Sequence, residues 1–466
     1  MTTLRPDILI VGAGPAGLSA ALAARQAGAT VHVIDQFPTA GGQYWMQPPS
    51  VAAEQKTTQS AEGAAAIAAM RAAGAVCHLG TEVWGAFPDL TICAVQNGEP
   101  LVFAPRALIV ATGAHDRVIP FPGWTLPGVM TAGAGQRLAK TSGVAAGSRI
   151  VLAGSGAFLL AVRGAIAKAG ADIIAHVEAR GPSLAIARLL LGHPERWGEA
   201  WKLMRPLLAR RETLRLGHIV TEALGQDRVE AARIAPIASD GEIDRRRSQT
   251  IGGIDALLVG YGFRPSIELT SLLRCKHAFD DARGGWYCEI DRATGRTSVA
   301  GVYAAGEITG IAGSMPARLA GEIAGLAAAA DLGFAAHTDR ADLLRRLARA
   351  RGFAEGLNAA FAPMPAFDTL ATDATLLCRC EEVTKGEVMA AMQSGASSAY
   401  AAKLWTRACM GRCQGRICGW GIAHIMAAAT GRDPAELGVN QPRIPIRPVP
   451  IEIAATALDP GRDAAA

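Results

Sequence analysis

The feature that most constrains the fold is the segment DILIVGAGPAGLSAALAARQAGATVHVIDQ, residues 7–36. Its pattern of strand, glycine-rich turn, helix and second strand predicts a βαβ unit. Gly12 permits a tight turn, Gly14 lets the backbone approach a pyrophosphate, and Gly17 lets the helix pack close to the strand. Asp35 ends the second strand, where a carboxylate can accept hydrogen bonds from a ribose. A glycine-rich turn in any α/β core is the alternative, but the flanking elements and the acidic residue favour dinucleotide binding.

The same segment contains an uncharged run, Ile8 to Ala24, that resembles a membrane span or a secretory signal. Pro15 and three glycines interrupt this run, so we expect no transmembrane segment. Lys plus Arg number 46 and Asp plus Glu number 41, too small an excess to imply nucleic-acid binding. Nine cysteines in 466 residues are no disulfide framework, and we expect a cytoplasmic protein.

Three later segments indicate which dinucleotide is bound. GGQYW follows the second strand, ALIVATGAHDRVIP ends a strand at an ATG turn, and GVYAAGEITG ends another at a GE turn. In this order they resemble the two-dinucleotide-binding-domain flavoproteins, an α/β fold typical of glutathione and thioredoxin reductases. Glu307 stands where that family usually has aspartate, which keeps a carboxylate near the ribityl chain. The resemblance implies these FAD contacts: Gly12, Gly14, Gly17, Asp35, Gly42, Gln43, Thr112, Gly113, Gly306 and Glu307.

A second βαβ pattern, RIVLAGSGAFLLAVRGAIAKAGADIIAHVEA, spans residues 149–179. Gly154 and Gly156 match the glycine turn and Glu178 ends the second strand, but Leu159 replaces the third glycine. A leucine there would push the helix off the strand unless small residues compensate. Three interpretations stay open: an NAD(P) site, an adenine-nucleotide site such as one for ATP, and a structural remnant.

These segments divide the chain into five predicted regions. A discontinuous FAD-binding domain occupies residues 1–125 and 260–335, and a second nucleotide-binding-like domain at 126–259 interrupts it. A helical linker at 336–370 leads to a small domain at 371–440. The remaining residues, 441–466, form a proline-rich tail that we expect to be extended and able to lie across a neighbouring subunit.

Five cysteines lie in that small domain, in LLCRCEEVTKGEVMAAM and ACMGRCQGRICG. One residue separates Cys378 from Cys380, and four separate Cys413 from Cys418. Two such pairs can converge on one tetrahedral pocket, whose thiolates suit either zinc or an iron-sulfur cluster. A flavoprotein has a use for a one-electron relay, whereas zinc has no redox chemistry.

The segments CRCEEVT and TRACMGRCQGRICG resemble the bacterioferritin-associated-ferredoxin-like [2Fe-2S] domain, which is small and mainly helical. The resemblance implies that the cluster ligands are Cys378, Cys380, Cys413 and Cys418. Cys409 then stands where relatives commonly carry glycine and is interpreted as a buried spare. An exchange of ligand roles between Cys409 and Cys413 is the alternative.

Catalytic groups are scarce in the sequence. No CxxC motif accompanies the flavin segments, which excludes dithiol chemistry of the thioredoxin-reductase type. His115 directly follows the ATG turn, and a turn residue at the end of a strand is favoured over a catalytic role. We therefore predict an electron-handling chain without catalytic residues of its own.

Over nearly its whole length the chain resembles the FAD-containing alpha subunits of opine oxidases. Related subunits belong to D-hydroxyproline and L-proline dehydrogenases and to hydrogen cyanide synthase. The resemblance implies that a separate, D-amino-acid-oxidase-like beta subunit with its own flavin oxidises the amine or imino acid. A small ferredoxin-like gamma subunit is a further candidate partner, and FMN at a subunit interface is a further candidate cofactor.

The principal hypothesis is thus an FAD and [2Fe-2S] electron-transfer subunit of a heteromeric dehydrogenase. Its substrate is a secondary amine or imino acid, and its acceptor is not oxygen. The first alternative is an NAD(P)H-dependent reductase that serves a ferredoxin-like partner, against which Leu159 counts. The second is a scaffold subunit whose cofactors are redox-silent.

Overall fold

The computed structural model describes residues 3–48, 57–208, 213–335 and 339–458. The strands of this part of the chain are β1 (Thr3–Leu4), β2 (Ile8–Val11), β3 (Val31–Asp35), β4 (Val76–Leu79), β5 (Thr81–Ala86), β6 (Ile92–Gln96), β7 (Glu99–Phe103), β8 (Ala107–Val110), β9 (Ala114–Asp116), β10 (Val129–Thr131), β11 (Arg149–Gly154), β12 (Asp172–Glu178), β13 (Leu214–Leu216), β14 (His218–Leu224), β15 (Ala231–Pro236), β16 (Gln249–Gly252), β17 (Ala256–Gly260), β18 (Phe263–Pro265), β19 (His277–Asp280), β20 (Gly285–Cys288), β21 (Val302–Ala304), β22 (Leu376–Cys378) and β23 (Val383–Thr384). The α-helices are α1 (Pro15–Gln26), α2 (Thr58–Ala72), α3 (Ala132–Arg137), α4 (Phe158–Lys168), α5 (Leu184–Leu191), α6 (Trp197–Leu208), α7 (Glu268–Leu272), α8 (Ser314–Asp331), α9 (Arg340–Ala360), α10 (Lys385–Gln393), α11 (Ala399–Thr406), α12 (Gly419–Thr430) and α13 (Ile451–Leu458).

The first unit is built on a parallel sheet with the strand order β21-β8-β2-β3-β4. Strands β2 and β8 are buried along their whole length because helices cover one face and a second, four-stranded sheet covers the other. That four-stranded sheet has the order β1-β7-β6-β5. Strand β21 reaches the first sheet from more than 190 positions after β8, so the unit is discontinuous in sequence.

Helices α1 and α8 lie on this sheet and pack so closely that their backbones are in contact. A Cβ added to Gly321 would lie 2.0 Å from the carbonyl oxygen of Ala16, and one added to Gly325 would lie 2.3 Å from that of Ala20. Since only glycine leaves room for such an approach, the two glycines of α8 determine how closely it sits against α1.

The second unit also has a five-stranded parallel sheet, in the order β10-β17-β11-β12-β13. Helices α3 and α4 cover one face, and the antiparallel sheet β14-β15-β16 lies beside the other. The chain enters this unit after β9 and leaves it before β18, and these two short strands pair antiparallel. The pair therefore forms the connection between the two units.

The C-terminal region packs onto both units. Helix α9 of the predicted linker lies against α8 and α5, and residues 336–338 of that linker fall outside the described ranges. The hairpin β22-β23 and helices α10, α11 and α12 enclose a small core that contains Cys378, Cys409 and Cys418. Trp420 of α12 is buried in the core of the second unit, so the cysteine region is joined to the rest of the molecule by packing.

The expectation of an extended tail is wrong for residues 451–458, which form α13. No proline occurs between Pro450 and Pro460, so every residue from Ile451 to Leu458 can donate a backbone hydrogen bond. The N–H of Ile446 donates to the carbonyl of Trp84 at 2.9 Å, and apolar residues of α13 pack on the four-stranded sheet. The described part of the tail therefore lies on its own chain.

Among the described residues, no helix is both long and apolar enough to cross a membrane. The uncharged run near the N-terminus is divided into β2, a turn and α1, as the glycines and Pro15 predicted.

Candidate functional site

The first glycine turn brings β2, β8 and α1 into backbone contact. Gly12 has φ +111°, and a Cβ there would lie 2.2 Å from the carbonyl oxygen of Ala111. A Cβ on Gly17 would lie 1.8 Å from the carbonyl oxygen of Gly12. In contrast, the space beside Gly14 is open except for the Cα of Gly42 at 3.9 Å. The start of α1 is thus held against the sheet with an uncovered backbone beside it, as a diphosphate requires.

Asp35 lies at the end of β3, beside this turn. Its carboxylate accepts hydrogen bonds from the N–H groups of Ala13, at 2.7 Å, and Phe37, at 2.9 Å. Burial raises the pKa of Asp35, while these two hydrogen bonds and the charge of Arg137 lower it. Because a carboxylate can accept about four hydrogen bonds, capacity remains for ribose hydroxyls.

The first glycine turn and the carboxylate of Asp35 form a depression that we call the cradle. The other residues predicted for FAD lie at the rim of this cradle or turn away from it. A Cβ on Gly306 would lie 2.9 Å from the Cβ of Ala16, so the GE turn borders the start of α1. The hydroxyl of Thr112 donates to the carbonyl of Ser266 at 2.8 Å, and Gly113 has φ +74° with open space beside it. Gln43 is exposed.

Glu307 turns its carboxylate toward the start of α8. It accepts hydrogen bonds from the N–H groups of Gly313, at 2.6 Å, and Ala312, at 3.3 Å. Burial raises its pKa to about 7, although these hydrogen bonds lower it. The carboxyl is therefore partly protonated near neutral pH.

The second glycine turn repeats the carboxylate geometry of the first. Glu178 accepts hydrogen bonds at 3.0 Å from the N–H groups of Gly156 and Arg180. A Cβ on Gly154 would lie 1.8 Å from the carbonyl oxygen of Gly260. Leu159 is accommodated because Gly260 faces it: a Cβ on Gly260 would lie 3.0 Å from a methyl group of the leucine. The compensating small residue that the sequence required is therefore Gly260.

Residues that follow α9 lie over this second turn. The ring of Phe361 is 4.0 Å from the position that a Cβ of Gly156 would take. The guanidinium of Arg180, two residues after the end of β12, donates to the carbonyl of Ala362 at 2.5 Å. The chain itself thus occupies space beside the backbone that a nucleotide would approach.

The five clustered cysteines fall into two neighbouring groups. One group contains Cys378, Cys409 and Cys418, and the other contains Cys380 and Cys413. The sulfur of Cys409 lies 3.4 Å from that of Cys418 and accepts a hydrogen bond from the Asn440 amide at 3.0 Å. The Cys418 thiol, with burial, raises the pKa of Cys378, and burial together with Cys413 raises that of Cys380. Cys380 is the exposed member of the set.

Within the ranges that the structure describes, no three His, Cys, Asp or Glu side chains are arranged to hold a metal ion. The donor set nevertheless suits an iron-sulfur cluster, because five thiols lie on one loop and one hairpin. A Cβ on Gly411 would lie 2.2 Å from the Cβ of Cys380, so glycine is required where the loop crosses the hairpin. The four-ligand set Cys378, Cys380, Cys413 and Cys418 stays a prediction.

The sequence did not predict a set of polar contacts between the first unit, which we call the flavin unit, and residues 409–418, which we call the cysteine loop. Arg264 donates to the carbonyls of Gly415, at 3.2 Å, and Arg416, at 2.7 Å. Arg416 forms a buried ion pair with Glu268 at 2.9 Å. Burial alone would raise the pKa of Glu268, but Arg416, His115 and Arg264 hold it below its usual value. The segment RPSIE carries two of these groups, and its residues by themselves indicate no contact with the cysteine loop.

His115 belongs to this junction, since it pairs with Arg264 across β9 and β18. Burial lowers its pKa to about 4, so the ring is neutral at physiological pH. A second missed group, His424 of α12, lies 3.2 Å from a carboxylate oxygen of Asp281 and 3.5 Å from one of Asp368. Burial opposes its charge, but the two aspartates raise its pKa overall.

Residues 6–330 match the family model described as pyridine nucleotide-disulphide oxidoreductase, and residues 373–457 match the sarcosine oxidase A3 domain. The chain is 30% identical to the A subunit of opine oxidase from Agrobacterium tumefaciens (strain Ach5), over 95% of this chain and 90% of that protein. It is also 30% identical to the HcnB subunit of hydrogen cyanide synthase from Pseudomonas protegens, over 95% and 96% of the two chains.

Among solved structures, L-proline dehydrogenase from P. horikoshii superposes with a TM-score of 0.73 at 20% identity, over 97% of this chain and 80% of that one. This likeness confirms the predicted fold of two dinucleotide-binding domains. The chain belongs to the pyridine nucleotide-disulphide oxidoreductase family of flavin-dependent enzymes and, within it, to the group that includes the opine oxidase A subunits.

Proposed function

We propose that this chain is the FAD-binding electron-transfer subunit of a heteromeric dehydrogenase for a secondary amine or imino acid of the opine, D-hydroxyproline or proline type. FAD would lie in the cradle of Gly12, Gly14 and Asp35, and a [2Fe-2S] cluster would be held by the C-terminal cysteines. When bound, these groups supply two-electron and one-electron redox chemistry. A D-amino-acid-oxidase-like beta subunit would oxidise the substrate, and the final acceptor would not be oxygen.

The observation that carries this proposal is the junction between the two candidate cofactor sites. The hydroxyl of Thr112 in the ATG turn donates at 2.8 Å to the carbonyl of Ser266, the residue that directly follows β18. Two residues earlier, Arg264 donates to the cysteine loop at Gly415 and Arg416. The ATG turn and the cysteine loop are therefore linked through one short segment, which supports an electron path between the two candidate cofactor sites.

The choice of a dehydrogenase subunit rests on two further points. The relatives are named as subunits of opine oxidase and hydrogen cyanide synthase, and the structural neighbour is a proline dehydrogenase. Of the groups near the cradle, His115 has its pKa lowered to about 4 by burial, and it faces the domain junction. Substrate oxidation is thus assigned to a partner chain, for which the beta subunit is the candidate. A ferredoxin-like gamma subunit and an interfacial FMN are compatible additions that no contact in this chain tests.

The NAD(P)H-dependent reductase is the less favoured function. It requires nicotinamide nucleotide binding at the second glycine turn, where Phe361 lies beside Gly156 and Arg180 is bonded to Ala362. A nucleotide could bind there only after residues 361–362 move. We therefore interpret the second nucleotide fold as a structural unit.

The visible spectrum of the anaerobically purified chain tests this proposal. We expect flavin and iron-sulfur absorption, with FAD released on denaturation. Addition of NADH or NADPH should leave the spectrum unchanged, whereas dithionite should bleach it. A matched variant, Phe361→Ala, should respond to NADH as the wild type does if the second fold is purely structural.

Rapid bleaching of wild-type flavin by NADH or NADPH would favour the reductase and contradict the dehydrogenase subunit. Flavin and cluster bands that dithionite cannot bleach would indicate redox-silent cofactors and the scaffold role. A chain that purifies without flavin and takes up none would refute both electron-transfer functions.

A further inference from the structure

A pocket with an empty volume of about 380 Å³ lies beside the GE turn. One wall consists of the turn itself, from Gly306 to Ala312, and the first residues of α8. The opposite wall comes from Arg283 and from α9, which contributes Arg351 and Glu355. The predicted linker helix is therefore also part of the wall of this pocket.

Helix α9 is held in this position by specific contacts. The amide of Asn358 donates to the carbonyl of Ile311 at 2.6 Å, and this residue directly follows the GE turn segment. Arg340, at the start of the helix, donates to the carbonyl of Ala293 at 3.2 Å. Both ends of α9 are thus bonded to the first unit, and Arg351, between them, lines the pocket.

The charges around the pocket favour an anion. Arg283 donates a hydrogen bond to the carbonyl of Thr309 at 2.5 Å, and its guanidinium lies over the ring of Tyr287. Among the described residues its other N–H groups have no hydrogen-bond acceptor and can donate to an anion. Arg351 makes no hydrogen bond or close ion pair within the described ranges. Burial and the charges of Arg292 and Arg283 lower its pKa to about 10, and the charge of Glu355 opposes this shift only in part. An unpaired, half-buried arginine beside a second arginine is costly unless an anion is present.

The two carboxylates of the pocket do not balance these cations. Glu355 already faces Arg292, at 3.8 Å. Burial raises the pKa of Glu307 to about 7, so that its carboxyl is partly neutral. The pocket therefore has a net positive charge at neutral pH.

The pocket lies next to the start of α1, where the glycine turn receives a diphosphate. Gly306 lines the pocket and also borders α1, since its Cβ would lie 2.9 Å from that of Ala16. We propose that Arg351 of the linker helix, with Arg283, binds the diphosphate of FAD from the side opposite the glycine turn. This inference rests on the proposed function, because it takes FAD as the occupant of the cradle.

The test is the affinity of the flavin-free full chain for FAD, ADP and adenosine, measured by titration calorimetry. Arg351→Gln should weaken binding of FAD and ADP on the order of tenfold or more, because charge-assisted hydrogen bonds to phosphate are lost. Adenosine, which has no phosphate, should bind as before. Arg351→Lys should recover part of the loss. Arg345→Gln, on the exposed side of the same helix where Arg345 contacts Asp342 at 3.1 Å, is the matched control and should change nothing.

Equal FAD and ADP affinity in the wild type and in Arg351→Gln would overturn the inference and leave the proposed function intact. An equal loss for adenosine would also overturn it, since the substitution would then act through the fold. If Arg351→Gln abolished pyrophosphate binding to the FAD-loaded chain while FAD affinity stayed constant, the pocket would hold a separate anion, contrary to the flavin assignment. A wild-type chain that binds no FAD would instead refute the proposed function.

Discussion

Replacement of Gly17 by alanine tests whether the start of α1 is placed by backbone contact alone. The added Cβ would lie 1.8 Å from the carbonyl oxygen of Gly12. Close carbon-oxygen contacts in proteins are about 3.3 Å, so the helix start must move by about 1.5 Å. The obstacle is backbone in a buried turn and cannot rotate away as a side chain would.

A displacement of this size removes the N–H groups of the turn from hydrogen-bond distance of a diphosphate, because such bonds span about 2.7–3.2 Å. Two hydrogen bonds to a charged group are worth about 3 kcal/mol in total. Since each 1.4 kcal/mol corresponds to a factor of ten, FAD affinity should fall about 100-fold. The strain should also lower the free energy of unfolding by about 1–3 kcal/mol.

The assay is a fluorescence titration of the flavin-free chain with FAD, together with thermal unfolding. Gly164→Ala is the control, because Gly164 lies in α4 and its added Cβ meets nothing within 4 Å. Alanine is about 1 kcal/mol better than glycine in a helix interior, so this variant should be at least as stable as the wild type and should bind FAD normally. A Gly17→Ala chain whose dissociation constant lies within threefold of the wild type would refute the proposed close approach.

Gly260→Ala should lower the free energy of unfolding by about 1–3 kcal/mol, because its Cβ would lie 2.9 Å from the Cβ of Ala132 and 3.0 Å from a methyl group of Leu159. The same substitution should cost less in a Leu159→Ala chain than in the wild type, and urea unfolding of the four chains of this double-mutant cycle measures the difference. The fold raises the pKa of His424, so its charge stabilises the protein below about pH 6.5 and this contribution is lost as pH rises through the higher folded-state pKa. Melting temperatures should therefore fall above pH 6.5 more steeply for the wild type than for His424→Gln, and equal slopes would refute the role of the two aspartates. Cys409→Ser should keep the iron content of the chain while Cys418→Ser should lose it, and iron loss in the first variant would move Cys409 into the ligand set.

Much of the fold could be predicted because its signals are local. Strand β2, the glycine turn and α1 follow from residues 7–36, and the second unit follows from a pattern of the same kind at residues 149–179. The tail was mispredicted because its prolines suggested an extended chain, whereas the eight residues after Pro450 are free to form α13. The prediction of an extended tail rested on local composition alone. Helix α13 is also stabilised by packing on the four-stranded sheet, and the sequence gives no sign of this contact.

The residues of the candidate site likewise fall into those that the sequence predicted and those that only the structure revealed. The glycines and Asp35 could be placed together from sequence because each has a role in the backbone of one turn, while their contacts with FAD stay a prediction. Arg264, Arg351 and His424 could not, because their partners lie far along the chain: Arg264 contacts Gly415, and Arg351 faces the turn at Gly306. A single arginine belongs to no sequence motif that would indicate its function. Its function can be inferred only from the folded structure, which shows whether its guanidinium has a hydrogen-bond acceptor.

The sequence by itself determined the two nucleotide folds, the position of the first glycine turn and the presence of a thiol-rich C-terminal region, because these depend on residues close along the chain. Only the tertiary structure decided that Gly260 makes room for Leu159, that Phe361 lies over the second glycine turn, and that the linker helix lines the pocket beside the first. Each of these depends on the packing of elements that are distant in sequence, and such packing is selected by shape and charge over the whole molecule.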